Sequence, residues 1–369
     1  MKKTLAIILA LCMIFALCAC GQKAAAPATT EATVVEEKAE AAEAVEATPP
    51  PEAATGVTVT LTPFDQIPHD TSNDANREAY DIGLMFCDMA NEYWVNTAAG
   101  VEARCAERNC NYNVTSSNNT SSEDIRLIEN YINAGMDAVI AGFYSTEAAE
   151  DVSKQCIDAG IPLLSYCFGN TNHSSEIVSD NYSDGGKIAQ VAADYIANTP
   201  ALKDKDEIVV AFGTITSVES MKVRCDGMKA KFLELVPNAK VVDIEKNLDS
   251  TAKAYDWMEE VLLVEPDVDI VLGFCDAISI GAAEALKDAG YTGDKVAVFG
   301  MDGSASACAC IAEENATFKA TVAYDTYEMG KALVDIAIAI LDGQEVATEY
   351  EYITPTIIDA SNVDQFYSA

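Results

Sequence analysis

From Tyr80 to Leu341, short apolar runs alternate with helical patterns, and this alternation restricts the chain to few folds. Ile82–Phe86, Asp137–Phe143, Ile161–Phe168, Glu207–Phe212, Val268–Phe274, Lys295–Phe299 and Phe318–Ala323 read as strands. Weaker strands fall at Tyr112–Val114, Ile177–Ser179 and Lys240–Ile244. Between them, apolar residues recur every three or four positions, as one face of a helix requires. Trp94, Ala98, Val101 and Cys105 form one such stripe, and Met221, Cys225, Met228 and Phe232 another. The last long helix spans Met329–Leu341, and the tail Thr348–Ile358 reads as extended. Continuous apolar strands separated by helices make parallel sheets covered on both faces. So many strands exceed one small sheet, and the expected fold is α/β with two doubly wound, Rossmann-like lobes.

The loop between the first strand and first helix carries Asp88, Asn91, Tyr93 and Trp94. In open α/β sheets, ligands bind outside the carboxyl ends of strands, where this loop lies. A carboxylate, an amide and two aromatic rings suit a small polar molecule held against a ring face.

The first residues read as a delivery signal. Lys2 and Lys3 precede an apolar run, Leu5–Leu17, too short to span a bilayer comfortably. The run ends in Leu17-Cys18-Ala19-Cys20-Gly21, which resembles the lipobox of bacterial lipoproteins. The resemblance implies a signal peptide over 1–20 and lipidation of Cys20. Two acyl chains are enough for stable anchoring. Gln22–Gly56 is nearly all Ala, Glu, Thr, Val and Pro, and cannot bury enough apolar surface to order itself. It reads as a disordered spacer. Val57–Asn76 is ambiguous, with Val57–Leu61 a candidate stray strand, and residues 21–76 are together assigned to a tether.

The formal net charge of −36 argues against nucleic acid and anionic lipid as partners. Beyond Cys20 the cysteines are Cys87, Cys105, Cys110, Cys156, Cys167, Cys225, Cys275, Cys308 and Cys310, with no staple pattern in their spacing. Several lie on apolar stripes, where cysteine acts as a small hydrophobe. A Cys105–Cys110 disulfide is one alternative. Convergence of Cys87, Cys167 and Cys275 on a soft metal is another, though no metal or cofactor is expected.

From Asp81 onward the chain resembles the periplasmic sugar-binding proteins of ABC importers, of the ribose-binding type. The resemblance rests on Asn91-Glu92-Tyr93-Trp94, Ala159-Gly160-Ile161-Pro162, Ser179-Asp180-Asn181 with Gly185-Gly186-Lys187, Arg224-Cys225-Asp226-Gly227, Glu265 through Asp276, and Gly300-Met301-Asp302-Gly303, in that order. It implies a type I periplasmic binding protein fold, two lobes joined by three hinge crossovers near Asp180, near Tyr324 and Asp325, and near Ile353. Lobe 1 would comprise 80–179 plus 325–352, and lobe 2 would comprise 180–324 plus 353–369. The protein would sit as a monomer on the extracytoplasmic face of the cell membrane, close over a carbohydrate and deliver it to an ABC permease. A sensor subunit of the same fold is the alternative function.

Position by position, the resemblance implies Asn91 as a hydrogen-bonding amide and Tyr93 and Trp94 as stacking rings. It implies Lys222 in place of an arginine, Asp302 as the hydroxyl-binding aspartate and Tyr324 in place of a glutamine. Cys167-Phe168 replaces an aspartate–arginine pair, Cys275 replaces an asparagine and leaves Asp276, and Asp249 replaces a ring. Lost polar partners point to a less hydroxyl-rich ligand, or to one gripped differently, since unpaired buried groups cost about 1–3 kcal/mol each. A deoxysugar, a nucleoside-like molecule or a small aromatic stay open beside an ordinary sugar. Ser250-Thr251-Ala252-Lys253 and Ser179-Asp180-Asn181 match fragments of penicillin-binding enzymes, but in reversed order and without Lys-Thr-Gly. No base stands beside a nucleophile, so no catalysis is expected.

Overall fold

The computed structural model describes residues 62–167, 172–351 and 355–367. The expected signal peptide with Cys20, most of the expected tether, Phe168 and Ile353 lie outside the described residues.

The chain opens with β1 (Thr62–Pro63), then runs β2 (Tyr80–Phe86), α1 (Glu92–Glu107), β3 (Cys110–Ser116), α2 (Ser121–Ala134), β4 (Ala138–Gly142), α3 (Thr146–Asp158), β5 (Leu163–Tyr166) and β6 (Ser175–Val178). It continues through α4 (Asn181–Asn198), β7 (Ile208–Gly213), α5 (Glu219–Leu235), β8 (Ala239–Val241), α6 (Thr251–Val264), β9 (Ile270–Gly273), α7 (Asp276–Asp288), β10 (Ala297–Asp302), α8 (Ala305–Ala312) and β11 (Phe318–Ala323). It ends with α9 (Thr326–Leu341), β12 (Glu349–Glu351) and β13 (Thr356–Asp359).

Two sheets result. A seven-stranded sheet has the order β1-β12-β6-β5-β4-β2-β3, and a six-stranded sheet has the order β13-β11-β10-β9-β7-β8. All pairings are parallel except β11 with β13, the antiparallel edge made by the tail. The central strands β4, β5, β7 and β9 are buried along their whole length, which is why they read as unbroken apolar runs. β3 read weakly because it is an edge strand with exposed Tyr112 and Val114. The chain passes between the sheets after β6, after β11 and between β12 and β13.

Helix starts lie earlier than the apolar stripes. α4 begins at Asn181, capped by Asp180 Oδ1 accepting the Ser183 N–H at 3.1 Å, and α9 begins at Thr326, capped by Asp325. Polar first turns carry no apolar signal, so periodicity misses them. At α2 the first-turn acid Asp124 points away from its own helix start. Asp124 instead accepts the Tyr144 N–H at 2.9 Å, tying α2 to the loop after β4.

Residues 62–78, partly within the expected tether, lie on the first sheet's lobe. β1 pairs with β12, Thr62 opposite Tyr350 and Pro63 opposite Glu351. Behind it, Arg108 Nε contacts Asp74 at 2.6 Å and Arg108 Nη1 contacts Asp335 at 2.6 Å. The buried Arg108 thereby fastens the strap to α9.

Candidate functional site

The carboxyl ends of both sheets face each other where the chain crosses between the lobes. On the lobe 1 side, Asp88 shapes the loop after β2: its Oδ1 accepts the Ala90 N–H at 2.9 Å and its Oδ2 accepts Asn119 Nδ2 at 3.3 Å. Asn91 Oδ1 accepts the Tyr93 N–H at 3.0 Å and caps α1. Tyr93 stacks on Tyr166 with ring centroids 5.8 Å apart and planes at 11°, and its hydroxyl donates to Cys167 Sγ at 3.6 Å. Trp94 meets Tyr166 edge-on at 5.8 Å and Phe86 at 4.9 Å. A Cβ on Gly142 would come within 2.4 Å of the Trp94 ring, so only glycine lets the indole lie there. Trp94 is 5% exposed. It is the floor beneath Tyr93 and Tyr166.

On the lobe 2 side, α4 and α5 touch backbone to backbone. A Cβ on Gly185 would meet Arg224 O at 2.0 Å, and one on Gly227 would meet Tyr182 O at 2.1 Å. That contact brings buried Arg224 to the start of α4, where Asn181 Oδ1 accepts its Nε at 3.1 Å and its Nη2 at 2.9 Å. Tyr324, at the end of β11, donates its hydroxyl to Asp184, and Lys187 Nζ reaches Asp184 Oδ1 at 2.8 Å. Asp184 Oδ2 is buried with no hydrogen-bond partner among the described residues. Burial works against the Arg224 charge, but Asp184, Cys167, Asp302 and Tyr324 more than offset it, and Arg224 stays a cation.

Asp276 and Asp302 differ in their bonding. Asp276 Oδ2 accepts the Ser304 N–H at 2.8 Å and the Ser304 hydroxyl at 3.0 Å, while Oδ1 accepts the Thr321 hydroxyl at 2.7 Å. It is a post joining α7 to the start of α8 and to β11. Asp302 ends β10 at φ 132, and Cys167 follows β5 at φ 78. The other non-glycine residues at positive φ among those described are asparagines, which adopt it readily. The two unusual ones sit at facing strand ends, where local strain aims side chains. Burial pushes Asp302 up to about 7, against the pull of Arg224 and the Asp276 amide. Burial likewise pushes the Cys167 thiol up to about 11, and raises Cys275 and Tyr324.

A cavity of about 280 Å³ opens at the first crossover, lined by Cys167, Glu176, Ser179, Asn181, Ser220 and Val223 among others. Cys167 and Asn181 reach its wall, whereas Arg224, Asp302, Tyr93 and Tyr166 do not line it. Away from the crossovers, Glu92 of α1 meets Ser306 of α8: its carboxylate accepts the Ser306 N–H at 3.2 Å and the Ser306 hydroxyl.

Residues 82–345 match the model of the periplasmic binding protein domain. The chain belongs to the periplasmic binding protein domain family. Proteins of this family bind solutes and are not enzymes. The ribose import binding protein RbsB of Bacillus subtilis is 24% identical over 278 residues, 74% of this chain and 86% of that protein. The xylitol-binding protein of Mycolicibacterium smegmatis is 25% identical over 295 residues, 79% of this chain and 80% of that protein. Among solved structures, a solute-binding protein of an ABC transporter from Bacillus halodurans with bound myo-inositol superposes with a TM-score of 0.69 at 21% identity, covering 78% of this chain and 97% of that one. The likeness to the solved structure is one of fold.

Within this periplasmic binding protein fold, two expected site residues lie elsewhere. Lys222 is half-exposed and pairs with Asp226 at 2.8 Å, and Asp249 is exposed and pairs with Lys253 at 2.6 Å. Two residues along a helix turn the side chain by about 200°, so Arg224 faces inward and Lys222 outward. Arg224 was legible: it stands on the stripe of Met221, Cys225 and Met228, where a cation has no reason to be unless something inside needs it. Tyr166 and Asp184 were hidden in an apolar run and a helix start. Among the described residues, no cluster of three or more His, Cys, Asp or Glu is arranged to hold a metal. No described helix is long and apolar enough to cross a membrane.

Proposed function

We propose that the protein is the extracytoplasmic receptor of an ABC importer. It closes its lobes over a sugar or sugar-like polyol and presents it to a permease while Cys20 carries the lipid anchor. The observation that carries the ligand reading is the juxtaposition of buried Arg224 and half-buried Asp302 with Tyr166 and Cys167 across the lobes. A cation, a carboxyl and a stacked ring pair complement hydroxyls and the C–H face of one sugar ring. In this reading Tyr93 and Tyr166 offer the ring face, Arg224 and Asp302 grip hydroxyls, and Asp184 Oδ2 is free to accept another. Trp94, Asp276 and Tyr324 hold those groups in place, and Asp88 and Asn91 set the loop. Relatives named for ribose and xylitol support a small polyhydroxylated ligand.

The hinge reading follows from the crossovers. Ligand favours the closed form only through contacts that the open form lacks. Glu92 with Ser306 is one contact that joins the two lobes directly.

A thermal-shift screen over pentoses, hexoses, polyols, nucleosides and small aromatics tests the ligand. A sugar or polyol should raise the melting temperature by mass action. A response confined to aromatics or nucleosides would replace the sugar reading. Membrane fractionation of Cys20→Ser should find the protein released, and retention would remove the lipid anchor.

A further inference from the structure

Cys105 closes the buried stripe of α1, and Cys110 opens β3. The turn between them passes through Arg108 and Asn109, the latter at φ 49, and places the two thiols side by side, with Cys110 Sγ 3.5 Å from Arg108 O. Both are free thiols; Cys105 is fully buried, and Cys110 is partly exposed. A third group completes the arrangement. Arg77 Nη2 lies 3.6 Å from Cys110 Sγ. That guanidinium is itself fixed, its Nη1 donating to Asn109 O at 2.9 Å and its Nη2 pairing with Asp74 at 3.3 Å.

We propose that Cys105 and Cys110 form a thiol–disulfide exchange site for small disulfides, with Cys110 the attacking sulfur and Cys105 the resolving one. A partly exposed sulfur beside a fixed cation, with a buried sulfur behind it, has the geometry that such exchange needs. The adjoining Cys105 thiol and the nearby Arg77 and Arg108 bring Cys110 down to about 7 against its burial. The same contact and burial raise Cys105. The charged and titratable groups facing the pair are Arg77 on the strap, Arg108 at the end of α1 and, toward Cys105, Tyr112 on β3.

The exchange balances without another oxidant. The Cys110 thiolate attacks one sulfur of a small disulfide, the S–S bond breaks, and one thiolate leaves. Cys105 then gives its proton to the first departing thiolate and attacks the Cys110 sulfur, expelling the second thiolate. Two protein thiols are oxidised and one small disulfide is reduced to two thiols. The pair sits at the amino end of β3, whereas the crossovers lie at the carboxyl ends of the strands, so its chemistry is independent of the ligand reading.

The test uses the full, reduced protein exposed to 2-hydroxyethyl disulfide, then alkylated and mapped by mass spectrometry. The peptide holding Cys105 and Cys110 should lose two hydrogens before any of the other seven described thiols reacts, nine in all less this pair. Cys105→Ser should stop at a mixed disulfide on Cys110. Arg77→Gln should slow the attack roughly threefold or more near neutral pH, with the gap closing by about pH 9, where the thiol ionises unaided. The proposal falls if wild-type Cys110 reacts no faster than Cys310, the other partly exposed thiol among the described residues. It also falls if Cys110 reacts but the intramolecular disulfide never forms.

Discussion

The two lobes bring different chemistry to their shared face. Lobe 1 supplies rings and sulfur: Tyr93, Trp94, Tyr166 and Cys167 pack on one another, and no charged group is among them. Lobe 2 supplies charge: Arg224, Asp184 and Asp302 are held by backbone contact between α4 and α5 and by the strand end of β10. The difference separates two tasks. The lobe 1 face is held by packing among its own rings. The lobe 2 face keeps a cation and carboxyls in balance, so its stability is tied to protonation and to whatever comes to share those groups.

Breaking each side should therefore leave a different signature, and this is the largest effect expected. Trp94→Ala removes a buried indole from the floor of lobe 1 and should cost about 3–5 kcal/mol. That loss should be the same at acid and neutral pH. Arg224→Met removes the cation among buried carboxyls and should cost a similar amount, about 3–5 kcal/mol, near neutral pH. At acid pH, where the carboxyls are protonated, much of that cost should vanish. Urea unfolding of both variants at two pH values measures the contrast. A pH-independent loss in Arg224→Met would mean the arginine serves packing rather than charge balance.

What the sequence made legible follows the same division. The apolar side was readable, because strands buried on both faces and a Trp on a helical stripe announce themselves through periodicity. The charged side was readable only in part. Asp302 stands out only through the family match, and Arg224 enters that match as part of a motif with no site role attached. Lys222 was given the inward role by alignment of residue types, although α5 turns it to solvent. The helix stripe outweighed the residue match, since about 200° separates the two side chains. Asp249 failed likewise: an exposed loop carboxylate found its partner four residues on, in Lys253. The cysteine pair at the end of α1 was visible as a spacing, but Arg77, far off in sequence, was not.

A smaller effect sharpens the picture of lobe 2. The folded Asp302 lies at about 7, above its ordinary 3.8, chiefly through burial. Between those values the native state holds a proton that the unfolded chain has lost. The stability that Asp302 contributes is therefore full below pH 3.8 and drains away as pH rises through about 7. Asp302→Asn should flatten that decline, and it should weaken ligand binding by about tenfold, or 1.4 kcal/mol. Stability curves across that window, with calorimetric titration of the ligand found in the screen, check both. An unchanged pH slope would show that Asp302 is ionised in the folded protein, and that Arg224 outweighs its burial.

The smallest effect tests whether the lobes communicate away from the ligand. Glu92 places a carboxylate from lobe 1 on the first turn of α8 in lobe 2, where free N–H groups and the helix dipole favour an anion. Both partners are solvent-accessible, so the contact is worth only about 0.3–1 kcal/mol and should weaken with salt. Because it exists only when the lobes meet, its whole value goes to the closed state. Glu92→Gln should therefore weaken ligand affinity by about two- to fivefold, leave the unfolding midpoint of the unliganded protein nearly unchanged, and differ least from wild type at high salt. An affinity that did not move at low salt would mean that the open state makes an equivalent contact. Closure would then be driven by the buried groups of lobe 2 alone.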